Sequence, residues 1–149
     1  MGLVVNLQRK VKIDSKSFTE FTRHISASIT EAQDSDFSVA FVSDRRMKEL
    51  NSFFRGKDST TDVLSFPHEP DEFEHVSIPS ADHPLNFLGD IVISVEQAQK
   101  QAAENGLTLE NEIKQLILHG LLHLCGYDHE TDDGEMSKRE LGLRRKLKI

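Results

Sequence analysis

Cysteine is nearly absent from this chain of 149 residues: Cys125 stands alone, so no internal disulfide framework is possible. A fold held without disulfides fits a reducing compartment, and a cytoplasmic location is expected. Long apolar runs are also missing. Nothing approaches the ~20 residues of a membrane span, and Met1 to Lys10 alternates without the apolar block of a secretory leader. Positive charge is scarce as well. The formal net charge of −7 is awkward for a nucleic-acid partner, since phosphate contacts call for Lys and Arg. The acids are uneven, however. Residues 1–67 hold ten Lys/Arg against nine Asp/Glu, and residues 68–149 hold eight against sixteen. The tail from Lys138 to Ile149 reverses sign again, with six basic residues to one acid, which a solvated helix end explains through its dipole. Charge therefore neither supports nor excludes RNA.

What is present is the composition of a globular protein, 37% hydrophobic and 29% charged, long enough to bury a sizeable core in one domain, residues 1–149. Leu3-Val4-Val5-Asn6-Leu7 reads as a first strand. Phe18, Phe21, Ile25 and Ile29 recur at helical spacing and predict an amphipathic helix from Ser15 or Ser17 to about Glu31. Asp34-Ser35-Asp36 is a turn, and Phe37 to Val42 alternates as a second strand. Asp44 is the expected cap of a helix through Met47, Leu50 and Phe53-Phe54 that stops near Gly56. Val63 to Phe66, halted by Pro67, is a third strand; residues 67–86 carry all four prolines and read as a surface loop, with His68, His75 and His83 solvated. Leu88 to Ser94, nearly all apolar, is the central strand. Ser94 and Thr108 cap two further helices, and a final helix from about Asp132 to Lys146 packs Met136, Leu141 and Leu143 or Leu147. The fold class is α+β, a small mixed four-stranded sheet packed with helices.

The chemistry centres on His119-Gly120-Leu121-Leu122-His123-Leu124-Cys125-Gly126-Tyr127-Asp128-His129. This is the metzincin zinc spacing, H-E-x-x-H-x-x-G-x-x-H, with glycine in place of the glutamate. His119 and His123 share a helix face, Gly126 permits the chain to reverse, and His129 returns as a third ligand. Three imidazoles with an open fourth position describe a catalytic zinc ion. Cys125 falls about 200° round the helix from His123 and points away. Asp128 is a candidate for orienting an imidazole. Ordinary surface or core histidines are the bland alternative, which the register of four residues makes improbable.

A second stretch, Arg55-Gly56-Lys57-Asp58-Ser59-Thr60-Thr61-Asp62, joins a helix end to a strand. Its basic pair and hydroxyls suit an anion, and a guanidinium suits a phosphodiester, although a loop arginine is more often a solvated charge. Arg55-Gly56-Lys57-Asp58, then Thr61 to Pro67, then Leu88-Gly89-Asp90-Ile91, then the histidine stretch, together resemble the YbeY family of bacterial rRNA-maturation factors over nearly the whole chain. Cys125 departs from the leucine common in the family. The resemblance implies a zinc-dependent, single-strand-specific endoribonuclease of small-subunit rRNA maturation and ribosome quality control. It implies His119, His123 and His129 as metal ligands and Arg55, with Lys57, on the RNA. Partners would be ribosomal small-subunit components and a ribosome-assembly GTPase. Asp62, Asp90 and Asp128 would order the site or merely cap local structure.

Gly120 decides against a peptidase, because the glutamate it replaces is that reaction's general base. Zinc brings a bound water to a pKa of about 7 without a carboxylate, so hydrolysis of a phosphodiester stays open, with Arg55 against the developing charge. Two rivals stand beside this reading: a non-catalytic, zinc-ordered ribosome-assembly factor, and a metallohydrolase of another substrate.

Overall fold

The computed structural model describes residues 3–33, 35–69 and 87–149. Most of the expected loop 67–86, with His75 and His83, lies outside the described residues, as does Asp34 of the expected turn. Four strands form one sheet in the order β1 (Leu3–Asn6), β2 (Asp36–Val42), β4 (Phe87–Ser94), β3 (Val63–Pro67). The first three run parallel and β3 is antiparallel to β4, so the sheet is mixed and β4 is interior, as its apolar run predicts. No helix among the described residues is long and apolar enough to cross a membrane.

Alternation along the strands divides the apolar residues between two faces. On one, Val39, Phe41, Ile91 and Ile93 meet Phe18, Phe21 and Ile25 of α1 (Ser15–Ser28) and Ile113, Ile117 and Leu121 of α4 (Leu109–Leu124). Helices α3 (Val95–Asn105) and α5 (Glu135–Leu147) add Val95, Ala98, Met136 and Leu143 to this core. On the other face Val42, Leu64 and Val92 form a smaller cluster under Met47 of α2 (Asp44–Arg55). The molecule thus has a thick side, which carries the histidines on α4, and a thin side, which carries Arg55 on α2.

The helix ends differ from the sequence expectations in instructive ways. Helix α1 starts at Ser15 but is capped by Asp14, and it stops at Ser28; Ile29 turns extended to reach the core, and Thr30–Ala32 tightens into a 3-10 turn. The cap of α2 is Ser43, whose hydroxyl accepts from the Arg46 amide at 3.2 Å. Asp44 is instead the first helical residue, and its carboxylate accepts from Thr60, Ser94 and Gln97, tying α2 to the start of α3. Ser94 and Thr108 cap α3 and α4 as expected. Helix α5 begins only at Glu135, because Asp132 lies outside it and accepts from the Gly134 and Met136 amides. Its buried stripe is Met136, Glu140 and Leu143; Leu141, expected to pack, is 52% exposed. Position 140 therefore places an acid on the buried stripe.

Candidate metal centre

His119 and His123 lie on the last two turns of α4, and Gly126, at φ 103°, lets the chain turn so that His129 faces them. One ring nitrogen from each of the three falls within 4.8 Å of the others, and no other such group of His, Cys, Asp or Glu occurs among the described residues. Two of the rings are anchored from behind. His123 Nδ1 donates to the Tyr127 carbonyl at 3.0 Å, and His119 Nδ1 donates to the Glu140 carboxylate at 3.0 Å. With both Nδ1 atoms protonated by these bonds, both Nε2 atoms present lone pairs. They approach to 3.2 Å. Two lone pairs at that distance repel unless a cation lies between them. A tetrahedral ion with metal–nitrogen bonds of about 2.0–2.1 Å separates its ligands by about 3.3 Å, so the donor set fits one. Burial, and after it the neighbouring His119, hold the His123 pKa below its ordinary value, which favours the neutral ring that binds metal.

Glu140 was not singled out by the sequence. It is 9% exposed; burial works to raise its pKa, and the bonds to His119 and Arg144 overcome this and lower it. The Arg144 guanidinium donates to the same oxygen at 3.2 Å. Tyr127 acts at both ends. Its carbonyl holds His123, and its hydroxyl donates to Glu31 at 2.9 Å, which also accepts twice from Arg139 of α5, at 2.8 and 2.9 Å. The signals for these partners were an acid on an apolar helical stripe and a tyrosine beside the third histidine.

Gly120 is explained by packing. A Cβ there would stand 2.9 Å from Cγ2 of Ile91 and 3.1 Å from its Cγ1, so glycine lets α4 lie close against β4. A side chain at this position requires Ile91 or the helix to shift. Cys125 follows α4 and lies outside the histidine group; burial, aided by Glu31, pushes its thiol pKa up to about 11, so it remains a thiol.

The remaining predicted residues fall around this centre. Asp128 accepts from the Glu130 amide at 3.0 Å and shapes the turn leading to His129. Asp62 accepts from the Val63 amide at 2.8 Å and lines a cleft beside His119. Asp90 is exposed on β4 and accepts from the Ser38 hydroxyl. Arg55 and Lys57 are exposed, and neither has an ion-pair partner among the described residues. Arg55 closes α2 on the thin side of the sheet, next to Phe54, whose ring packs 4.9 Å from Phe66 on the edge strand β3. Across that strand, the Ser65 hydroxyl donates to the Gly120 carbonyl at 3.4 Å.

Known proteins resemble this chain in sequence and fold. The family described as Endoribonuclease YbeY matches residues 3–148. An Endoribonuclease YbeY from Nautilia profundicola is 47% identical over 116 residues, covering 78% of this chain and 75% of its own length. The one from Thermodesulfovibrio yellowstonii is 38% identical over 148 residues, covering 91% and 87%. A Thermotoga maritima protein solved in solution superposes with a TM-score of 0.62 at 29% identity, covering 95% of this chain and 85% of that one. Three histidines converging from the end of one helix and the turn after it, on a fold matched almost from end to end, place this chain in the endoribonuclease YbeY family.

Proposed function

We propose that the chain is a zinc-dependent endoribonuclease that cuts single-stranded RNA in the maturation of small-subunit rRNA and in ribosome quality control. The observation that carries the metal is the convergence of His119, His123 and His129 with two Nδ1 atoms held from behind; the endoribonuclease relatives carry the RNA. A zinc ion held there supplies Lewis acidity and a nucleophile at neutral pH, which hydrolysis without a neighbouring carboxylate requires. The residues of the chain supply the rest. Glu140 and the Tyr127 carbonyl fix the tautomer and orientation of two ligands. Arg55, exposed and without an ion pair among the described residues, meets the phosphodiester and stabilises charge on its oxygens, with Lys57 on the neighbouring backbone. Gly120, packed on Ile91, supplies no carboxylate for a peptidase's general base. A single cysteine, with no internal disulfide to form, suits the cytoplasm, where ribosomal small-subunit components and an assembly GTPase are the expected partners.

The test is cleavage of a labelled single-stranded RNA by zinc-loaded protein beside His123→Ala and Arg55→Ala prepared identically. Arg55→Ala is expected to keep its zinc and lose about 10²–10³ in rate; His123→Ala is expected to lose both metal and cleavage. Equal cleavage by all three would mean a contaminating ribonuclease. No cleavage by any, at full metal loading, would turn the reading to a metal-ordered assembly factor.

A further inference from the structure

Two phenylalanines stand in solvent at the end of α2. Phe53 is 81% exposed and Phe54 57%, while every other phenylalanine among the described residues is buried or half-buried. Their rings meet edge to face at 4.8 Å, and the Phe54 ring meets that of Phe66 on β3 in the same way at 4.9 Å. A lone apolar side chain at the surface is ordinary. A row of three touching rings is a built surface, braced at its inner end and open at its outer one. Cations follow it in the chain. Earlier in α2, Arg45 and Arg46 pair with Glu49, and Lys48 pairs with Asp58. Arg55 and Lys57 are exposed and have no ion-pair partner among the described residues, and Gly56, left-handed at φ 68°, ends the helix between them.

We propose that this tip is a stacking platform for the bases of single-stranded RNA, with Phe53 as its outer ring. Every base has a π-face, so an exposed ring accepts any of the four. Within a duplex both faces of a base are covered by its neighbours, whereas an unpaired strand splays its bases and offers a face. Arg55 and Lys57 meet phosphates of the same strand, on a chain whose net charge of −7 otherwise repels them. The conjunction of open rings with unpaired cations favours RNA over an apolar protein surface, which would leave both charges unanswered. The platform also lies at the edge of the sheet. β3 is the last strand, and Ser65, beside Phe66, donates to the Gly120 carbonyl next to His119. One strand therefore separates the rings from the metal helix, and RNA passing round that edge reaches the histidines. This continuation rests on the endoribonuclease reading; stacking on Phe53 does not.

The chain has no tryptophan, so Phe53→Trp places a single reporter at the tip, where its exposure spares the fold. The experiment titrates metal-free, full-length Phe53→Trp with a dodecamer of adenosine and with an abasic dodecamer of the same sugar–phosphate backbone, following tryptophan fluorescence. The adenosine strand is expected to quench the emission by stacking, and the abasic strand, of equal charge, to leave it unchanged. With labelled strands, Phe53→Ala is expected to bind the adenosine dodecamer about fivefold or more weakly than the parent, and the abasic one equally well. Arg55→Ala and Lys57→Ala are expected to weaken both strands and to flatten the salt dependence. Absent quenching, equal quenching by the two strands, or an adenosine affinity unchanged in Phe53→Ala would each overturn the proposal. So would a dimeric parent that Phe53→Ala makes monomeric with its RNA affinity intact, since the tip would then seat a second copy of the chain. Stacking in a protein that cuts no RNA would sink the nuclease reading alone. A Phe53→Ala protein that binds and cuts RNA as well as the parent would sink this inference alone.

Discussion

The two halves of the metal centre are built differently. His119 and His123 ride on a helix packed into the thick core, half-buried, each with its rear nitrogen bonded to another part of the chain. His129 is exposed on a turn, its ring centroid 5.5 Å from that of His119 and 5.0 Å from that of His123, and no hydrogen bond from the described residues holds it from behind. The helical pair is set by folding; the third histidine would take its final place from an ion held there. Preorganisation of two ligands lowers the ordering entropy of binding, and the exposed third leaves more of that ordering to the binding step.

The largest expected effect on stability comes from disturbing the seat of the helical half. Gly120→Glu forces a charged side chain against Ile91 and is expected to destabilise by about 3 kcal/mol or more, from overpacking and a buried charge together. Thermal unfolding would show this as a fall of roughly 10 °C, and an unchanged midpoint would contradict the packing argument.

Next is the direct comparison of ligands. His123→Ala is expected to abolish measurable zinc binding, whereas His129→Ala leaves a weakened two-nitrogen site that calorimetry still detects. Equal losses would mean that the turn is as preorganised as the helix.

Glu140→Gln keeps the shape but not the charge behind His119, and is expected to lower zinc affinity by about 10–100-fold while leaving the unfolding midpoint of metal-free protein within a few degrees. A competition titration against a chelator checks it.

The smallest effect concerns the outer support. Arg139, ahead of the Tyr127 hydroxyl, holds the Glu31 carboxyl down from 4.5 to about 2. A depressed carboxylate stabilises the fold fully above its unfolded pKa, and the contribution is lost as pH falls from about 4.5 through about 2. For a partly exposed pair this amounts to about 1 kcal/mol. Glu31→Gln is expected to flatten the acid limb of the stability profile in that window and leave the slope above pH 6 untouched.

Much of this was legible in the sequence because the relevant information was local. Histidine spacing, the glycine that turns the chain and the alternation of strands are all set within a dozen residues, where helix and strand periodicity govern. The supports were not legible because their partners are remote. Glu140 lies 21 positions from His119, and only the register of α5, which turned Glu140 inward and Leu141 outward, brings them together. The reason for Gly120 was likewise hidden, since it depends on Ile91 of another strand. Asp44 shows the converse: a residue with every mark of a cap gave that role to Ser43 and took three side-chain donors from other elements.

Arg139 and Glu140 are neighbours on α5, yet they serve different histidines. Glu140 touches His119 directly, and Arg139 reaches His123 through Glu31 and Tyr127. The closing helix is thus a keystone set against both legs of an arch. One helix therefore braces both histidines of α4 from its inner side, while Lys138 and Arg145 stand exposed on its outward face.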